Sequence, residues 1–340
     1  MAETTGNKAS KENPIYTVYL VDGTTKYDLT GTLVSLDFSD EKKQMAQSAT
    51  ISLMNIKVGD IWLSSLVKVR QRVYIYANDG EKSDEVFRGF VWTRGYKSNL
   101  TNREIALKCY DNLIYFQESE DSVFFSSGKS SQDVLSSLCK EWGVTLEYSY
   151  SSITHSKLAL RGTLTDIFMD DILDLVKDRT GKKYVILSSK DVVQVKEVGQ
   201  NTLVYSLEAG KNAVTTRSEC TMDGMVTKVI ITGKADDNDR EPIEATVNGK
   251  TSEYGTLQKV ISRDENTSLA DAKKEAQGIL KDDGSPKWEY EVVAPNIPWI
   301  RKGDKIHLSA GDITGDLIVS SISRGISSKN NDMTLTLEKL

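Results

Sequence analysis

The fold class is decided by Arg72-Val73-Tyr74-Ile75-Tyr76-Ala77-Asn78-Asp79-Gly80, which is followed closely by Val86-Phe87-Arg88-Gly89-Phe90-Val91-Trp92. Both runs are rich in β-branched and aromatic residues, and their apolar side chains recur with a period of two. The Asp-Gly step between them supplies the positive φ angle that tight turns require. The stretch therefore predicts a β-hairpin.

The same alternation continues on both sides of this hairpin. It recurs, separated by turn residues, at residues 17–21, 33–38, 49–54, 72–77, 85–97 and 103–109. Short alternating segments in series are typical of an antiparallel sheet. We expect a first β domain over residues 15–118, preceded by a polar and flexible tail at residues 1–14.

The periodicity changes after Phe125. Ser130 with Asp133 forms a capping-box pattern that predicts a helix over residues 134–142. Thr165 is the expected start of a second helix, and Gly181 is the expected end. Together with strand-like segments around them, these helices predict a small α+β domain over residues 119–202.

Strand patterns return at residues 203–232 and again at residues 288–340. Between them, residues 233–287 are polar and contain 9 Lys or Arg against 12 Asp or Glu. One helix is expected there, at residues 269–281, with Ser268 as its cap. We therefore predict a second β domain, formed by residues 203–232 and 288–340, that is interrupted by an acidic, helix-containing insertion.

A weak internal repeat relates the two β regions. Residues 70–75, 89–93 and 105–107 parallel residues 301–308, 315–320 and 335–337 in the same order. We interpret this as duplication of a β module. Chance matching between strand-rich segments is the alternative, because short alternating patterns resemble one another.

Composition argues against several classes of function. The net charge of the 340 residues is −6, and no basic stretch is interleaved with aromatic residues, so sequence-specific nucleic-acid binding is not expected. No apolar run approaches the ~20 residues of a membrane helix, so stable membrane insertion is not expected either. The 2 histidines and 3 widely spaced cysteines provide neither a disulfide framework nor a zinc site, and the cysteines are expected to be buried thiols.

Motifs for phosphate and calcium binding are incomplete. Gly128-Lys129-Ser130 resembles the end of a P-loop, but Val123 stands where the first glycine is required. Asp237-Asn238-Asp239 resembles the start of an EF-hand loop, but Pro242 replaces its glycine. We interpret the first as a helix cap and the second as a solvated acidic loop.

Nucleophilic and acid–base catalysis are not supported by any local pattern. Cys109 lies in an alternating strand, where a buried thiol is expected. His155 lies in a polar loop and is expected to be exposed, His307 alternates on a strand, and neither has a partner nearby in sequence. The 49 acidic residues could still form a carboxylate pair in space, but nothing nominates one. We predict no catalytic, cofactor-binding or metal-binding residues, and no enzyme activity.

Three segments taken together resemble the baseplate hub subunits of contractile phage tails and phage-tail-like bacteriocins, the XkdQ-type or late-control-D-like family. The first is Ile105-Ala106-Leu107-Lys108-Cys109-Tyr110-Asp111-Asn112-Leu113, and the second is Thr180-Gly181-Lys182-Lys183-Tyr184. The third combines Lys302-Gly303-Asp304-Lys305-Ile306 with residues 317–324 and 333–337. Each motif is short, so the resemblance rests on their order along nearly the whole chain.

The resemblance implies a mainly β fold with α+β parts, in which both β domains are tube-like β-barrels. It also implies a homotrimer whose six barrels form a ring between the six-fold tail tube and the three-fold spike, a mismatch that two modules per chain would resolve. The implied partners are the tail tube protein, the spike protein and other baseplate proteins. The implied location is a virion or an extracellular phage-tail-like particle, after synthesis in the bacterial cytoplasm.

Other functions remain open at this level. A particle-associated peptidoglycan hydrolase, a carbohydrate-binding β protein and a stand-alone adaptor related to the tail tube are alternatives to the hub. Aromatic residues concentrate at assembly interfaces, although core packing is their more common role. Candidate interface residues are Trp62, Trp92 and Trp299.

Overall fold

A computed structural model describes residues 13–98, 103–148, 152–234, 240–263, 267–311 and 313–339. The chain divides into two compact units, residues 1–217 with 290–340 and residues 218–289. The predicted fold class, mainly β with α+β parts, is confirmed. Residues 1–12 of the predicted tail and the acidic run at residues 235–239 lie outside the described residues.

The first part of the chain is an antiparallel β region. The predicted hairpin is confirmed: its two strands pair from Arg72 with Phe90 to Asn78 with Ser83, and Gly80 in the turn has φ +87°. The elements are β1 Ile15–Asp22, β2 Thr25–Asp28, β3 Leu33–Asp40, β4 Ser48–Met54, β5 Lys57–Val58, β6 Ile61–Trp62, α1 Leu63–Leu66, β7 Arg72–Asn78, β8 Ser83–Ser98 and β9 Arg103–Tyr110. A 3₁₀ turn covers Thr30–Thr32.

An α+β region follows. Its elements are α2 Ile114–Gln117, β10 Glu120–Phe125, α3 Ser131–Glu141, β11 Thr145–Tyr148, β12 Leu158–Thr163, α4 Leu164–Asp166, a π-helical segment Ile167–Asp174, α5 Leu175–Thr180, β13 Tyr184–Ser189 and β14 Val192–Glu197. The strands form a two-stranded sheet, β10-β12, and a three-stranded sheet, β11-β14-β13. Apolar side chains of the helices and strands share one core, which includes Phe116, Leu135, Phe168, Ile172 and Val193.

Two of the three predicted helix boundaries in this region are confirmed. Ser130 Oγ accepts a hydrogen bond from the Asp133 amide, and Gly181 ends α5 with φ +72°. The prediction that Thr165 caps the second helix is wrong, because the Asp166 amide donates to Thr163 Oγ1 at 3.1 Å. An acidic residue three positions after a cap is the usual signature, and it fits Thr163 rather than Thr165.

After β15 Tyr205–Glu208 and β16 Thr215–Thr221, the chain enters the unit of residues 218–289. This unit contains β17 Lys228–Thr232, β18 Ile243–Asn248, α6 Thr251–Tyr254, β19 Gln258–Ser262 and α7 Leu269–Asp283. Strand β17 lies between an antiparallel β18 and a parallel β19. The predicted cap Ser268 is confirmed by a 3.1 Å hydrogen bond from the Asp271 amide.

This unit begins earlier than the predicted insertion at residues 233–287. The strand pattern of residues 203–232 predicts that β17 belongs to the second β domain, whereas the structure pairs β17 with β18 and β19. Val229 and Ile231 of β17 are buried together with Ala272 and Ala276 of α7. The alternation of β17 predicts a strand with one buried face, but not which sheet or helix covers that face.

The last strands return to the sheet of the first unit. They are β20 Lys287–Pro295, β21 Lys305–Ala310, β22 Ile313–Ser327 and β23 Asn331–Glu338. The sheet follows the order β16-β20-β23-β22-β3-β4-β9-β8-β7-β1-β2, and β21 pairs with both β15 and β22. Strand β22 pairs antiparallel with β3, from Ile322 opposite Asp40 to Ser327 opposite Ser35. The first and last groups of strands are therefore joined in one hydrogen-bonded sheet.

The same three-stranded meander occurs twice in this sheet. Strands β7-β8-β9 and β21-β22-β23 each form consecutive antiparallel pairs. The long middle strands carry a bulge at corresponding places, after Val91 opposite Cys109 and after Val319 opposite Leu337. When the two meanders are aligned on their bulges, Leu107 of β9 corresponds to Leu335 of β23. In the repeat identified from sequence, Leu107 corresponds instead to Leu337. The repeated pattern supports duplication with a register that differs slightly from the one read from sequence.

Candidate assembly surfaces and a basic cleft

Trp62 lies on a small hairpin that projects apolar side chains into solvent. This hairpin, formed by β5 and β6, is called the apolar arm below. Ile56, Val58, Ile61 and Trp62 have exposed fractions of 43%, 45%, 51% and 36%. Adjacent exposed apolar side chains of this kind are typical of interaction surfaces. The Trp62 ring is flanked by the cationic groups of Lys57 and Arg103.

Trp92 and Trp299 lie in different surroundings. Trp92 occupies the bulge of β8, and its ring makes edge-to-face contacts with Tyr110 and Tyr115 at centroid distances of 6.3 and 5.8 Å. Trp299 is half-buried, and its Nε1 donates a 2.6 Å hydrogen bond to Asp79 Oδ2. The three candidate tryptophans contact different residues, so the structure does not gather them into one site.

Trp299 forms part of the wall of a cleft of about 500 Å³. The cleft is lined by the β7–β8 turn, strands β13 and β14 with the chain that follows them, and the loop before β21. Its apolar lining comes from Val185, Leu187, Tyr205 and Trp299. This volume lies within the range of about 300–1,000 Å³ that is usual for ligand pockets.

The cleft carries more positive than negative groups. Lys82, Lys196, Arg301 and Lys302 line it, against Glu197 and Asp304. Glu197 is paired with Lys182 at 2.9 Å, and burial raises the pKa of Asp304. Burial and the nearby charge of Arg301 lower the pKa of Lys196, and burial raises the pKa of Tyr205 to about 12.

Lys302, beside this cleft, forms a buried ion pair with Asp40 at the end of β3. Their Nζ and Oδ1 atoms are 2.7 Å apart, and the side chains are only 6% and 2% exposed. The same ammonium group donates to the carbonyl oxygens of Glu41 at 3.0 Å and Gln44 at 2.7 Å. Two carbonyl acceptors and one paired carboxylate therefore surround this ammonium group, and they tie the loop before β21 to β3 and the residues that follow it.

A second buried polar group joins the strand ends on the same side. Asn296 donates from Nδ2 to the Tyr16 hydroxyl at 2.7 Å and to Asn331 Oδ1 at 2.9 Å. Its Oδ1 accepts from Arg324 Nε at 3.1 Å, and Arg324 also donates to the carbonyl oxygen of Ile300. Burial lowers the pKa of Arg324 to about 10, so the guanidinium remains charged at neutral pH. No local sequence pattern predicts that these residues form a buried polar cluster.

A tight turn attaches the α+β region to β7 and β8. Lys190 and Asp191 connect β13 to β14 with φ angles of 51° and 69°, which non-glycine residues rarely adopt. Asp191 Oδ2 contacts Arg72 Nη1 at 2.7 Å and Arg88 Nη1 at 3.1 Å. Lys190 Nζ contacts Asp84 Oδ1 at 2.9 Å. These ion pairs hold the turn in its left-handed conformation.

The expectation that His155 is exposed is wrong, because its exposed fraction is 2%. Its Nε2 lies 2.8 Å from Ser131 Oγ at the start of α3, and its amide donates to the Lys129 carbonyl oxygen. The loop is polar in sequence, but it folds back over the helix start. Ser131 is fully buried as well, so a substrate cannot reach the Ser131–His155 pair. The contact fixes this loop against the start of α3.

Burial of His155 predicts acid sensitivity. Burial and the charge of Arg179 lower the pKa of His155 from 6.5. Protonation of His155 is therefore less favourable in the folded state than in the unfolded state. Stability should be lost as pH falls below about 6.5. We expect the melting-temperature difference between the native chain and His155→Gln, measured by circular dichroism, to shrink from pH 7.5 to pH 5.5. A melting-temperature difference that is the same at both pH values would show that His155 is not the source of the acid sensitivity.

The cysteines, Gly128 and His307, which the sequence motifs brought into consideration, lie in strands, in helix α3 or next to its cap. Cys109 and Cys139 are buried, and burial raises the pKa of both thiols, to about 12 for Cys139. The expectation of burial is wrong for Cys220, which is exposed on β16, where most side chains face solvent. Gly128 precedes the capped helix α3, as the capping interpretation predicts. His307 Nδ1 lies 2.9 Å from Asp316 Oδ1 across the β21–β22 pair, and both side chains are exposed.

Two features of the described residues bear on metals and membranes. No group of three or more His, Cys, Asp and Glu side chains in this part of the chain is arranged to hold a metal ion. Among the helices formed by the same residues, none is both long and apolar enough to cross a membrane. The EF-hand-like Asp237-Asn238-Asp239 lies outside the described residues.

The architecture is similar to that of phage tail proteins. A tail protein from Neisseria meningitidis superimposes with a TM-score of 0.71 over 95% of this chain and 96% of that chain, at 14% identity. The Escherichia coli c3393 protein gives a TM-score of 0.57 over 91% of this chain and 74% of its own, at 7% identity. That protein is described as a component of the type VI secretion system with structural similarity to T4 bacteriophage tail proteins gp27 and gp5. The chain therefore has the fold of these tail and secretion-system proteins.

The chain belongs to the YQBQ-like family, whose sequence profile matches residues 36–338. It is 22% identical over 254 residues to the phage-like element PBSX protein XkdQ of Bacillus subtilis, which covers 72% of this chain and 76% of that protein. The three related proteins are described as phage-element, tail or secretion-system proteins, and none of the descriptions names an enzyme. The XkdQ part of the sequence resemblance is thereby confirmed.

Proposed function

We propose that the chain is a structural baseplate hub subunit of a contractile tail or tail-like injection particle. It forms a homotrimer that adapts the six-fold tail tube to the three-fold spike, and it contacts the tube, the spike and other baseplate proteins. It is made in the bacterial cytoplasm and becomes part of a virion or a phage-tail-like particle. Membership of the YQBQ-like family and the tail-protein fold support this role.

The observation that carries the proposal is the repeated meander within one chain. Strands β7-β8-β9 and β21-β22-β23 share pairing order and bulge position. They belong to one sheet, in which β3 and β4 connect β22 to β9. A chain that holds two equivalent modules side by side can occupy two neighbouring positions of a ring. Three such chains then offer six positions around a three-fold axis.

The domain organisation that goes with this role has two tube-like barrels. We propose that the first barrel comprises residues 15–118 and that the second uses residues 203–217 and 290–340. The α+β region at residues 119–202 lies between them in sequence, and residues 218–289 form the separate unit. Superposition of the two barrels over their core strands, in an experimental structure, would test this division.

The trimer can be tested by mass. We expect about 113 kDa, three times the 37.8 kDa chain, by light scattering, either for the chain alone or after addition of the spike or tube protein. Strands β2 and β16 lie at the ends of the sheet order, and such edges are available for pairing with a neighbour. A chain that remains monomeric with both partners present would refute the hub role.

We propose that the apolar arm contributes to this assembly. Trp62→Ser should weaken trimer formation by about tenfold or more, because truncation of an interface tryptophan commonly costs at least 1–2 kcal/mol. The folding of the monomer should change little, since Trp62 is 36% exposed. Trp288→Ser, at a tryptophan that is 49% exposed and lies in the unit of residues 218–289, is the matched control. Equal effects of the two substitutions on the mass would remove Trp62 from the interface.

A further inference from the structure

We propose that the basic cleft beside Trp299 is a docking site for an acidic peptide segment of a partner protein. The proposal concerns a surface distinct from the apolar arm. That the partner is another protein of the particle rests on the proposed function, whereas binding of the acidic segment rests on the cleft alone.

Three cations of the cleft make no ion pair with the carboxylates that the structure describes. Among the described residues, Lys82, Lys196 and Arg301 form no ion pair, although the chain as a whole has a net charge of −6. Arg301 Nε is buried without a hydrogen-bond partner in the described structure, and the Nη2 atom makes one long contact of 3.4 Å to the Ser188 carbonyl oxygen. Arg301 as a whole is half-buried, and a buried donor without an acceptor adds a desolvation cost that a nearby negative charge would offset.

The two acids in the cleft compensate for these cations only in part, because Asp304 interacts with both Arg301 and Lys196. Glu197 is already paired with Lys182, and Asp304 Oδ2 accepts the Arg301 amide at 2.8 Å. Burial and then the charge of Arg301 lower the pKa of Lys196, whereas Asp304 and Glu147 act in the opposite direction, and an incoming carboxylate would act with them. The cleft therefore has a positive surplus and room for an anion.

The remaining lining determines the chemical class of the ligand. Trp299 is held by its hydrogen bond to Asp79, and Lys82 lies 4.1 Å above its ring centroid. Val185 and Leu187 provide an apolar wall, and the Tyr205 phenol stays protonated at neutral pH and can donate a hydrogen bond. Carboxylates next to an aliphatic or aromatic side chain fit this combination. A polyphosphate would lie close to Glu197 and Asp304 without using the apolar wall.

The test uses the full chain and a fluorescent, end-blocked peptide, Asp-Leu-Asp-Glu-Leu-Asp. We expect saturable binding by fluorescence anisotropy that weakens as salt rises, and much weaker binding of Asn-Leu-Asn-Gln-Leu-Asn. Lys196→Gln and Lys82→Gln should each raise the dissociation constant about two- to fivefold, as expected for a partly screened ion pair. Lys140→Gln, at an exposed lysine of α3 outside the cleft, should leave it unchanged.

Equal binding of the acidic and amide peptides would overturn the proposal. So would unchanged affinity in both cleft variants while their circular dichroism and melting temperatures match the native chain. Tighter binding of a short oligothymidylate than of the acidic peptide would assign the cleft to phosphates and would also overturn it. Failure here leaves the trimer mass unaffected, and a monomeric chain could still bind the peptide, so the two proposals fail separately.

Discussion

Replacement of Lys302 by alanine is expected to lower the free energy of unfolding by about 3–5 kcal/mol, the range found when one partner of a buried ion pair is removed. Asp40, whose side chain is 2% exposed, would lose its ion-pair partner, and the carbonyl oxygens of Glu41 and Gln44 would lose their donor. Urea unfolding followed by tryptophan fluorescence measures the loss, because Trp299 lies in the same loop.

Two further variants make this result specific. Lys329→Ala removes an exposed lysine from the β22–β23 turn and should change stability by no more than about 0.5 kcal/mol. The double variant Lys302→Met with Asp40→Leu should recover most of the loss, because apolar residues of similar size can replace a buried pair. A loss below about 1 kcal/mol in Lys302→Ala would show that the pair does not hold the loop to β3.

The second large effect is expected at Gly89 in β8. An added Cβ atom would lie 2.1 Å from the Tyr110 carbonyl oxygen and 2.8 Å from Phe87 Cζ. The first obstacle is backbone of β9, which cannot move without disturbing the β8–β9 pairing. Gly89→Ala should therefore destabilise the protein by about 3 kcal/mol, at the upper end of the usual cost of overpacking.

The same strand offers a matched control. At Gly95 an added Cβ atom would meet Ala106 at 3.7 Å, which is ordinary contact. Gly95→Ala should leave stability within about 1 kcal/mol of the native value, or raise it slightly, because alanine loses less entropy than glycine in a strand. Equal melting temperatures for the two variants would contradict the close approach of β8 to Tyr110.

Local chemistry was sufficient for the elements whose causes lie within a few residues. The Asp-Gly turn between β7 and β8, the cap Ser130 and the end of the second helix at Gly181 follow from backbone preferences and nearby hydrogen bonds. The cap at Thr163 was also readable, because Asp166 stands three positions later. The order of short motifs along the chain indicated the XkdQ-type resemblance, and the family match over residues 36–338 agrees with it.

The features that depend on distant residues needed the tertiary structure. Alternation predicts that one face of β17 is buried, but the helix α7 that covers this face lies dozens of residues later. The loop of His155 reads as exposed because its own residues are polar, and only the fold brings it against Ser131.

The candidate site shows the same division. Trp62, Trp92 and Trp299 were nominated because tryptophan is common at interfaces, but sequence could not separate a projecting arm, a bulge and a cleft wall. The cleft brings together residues from the β7–β8 turn, from β14 and from the loop before β21. The Lys302–Asp40 pair likewise joins residues from opposite ends of the chain. Charge pairing and burial act through space, so local residue patterns specify the individual strands and helices, whereas only the folded chain shows which of their side chains are in contact.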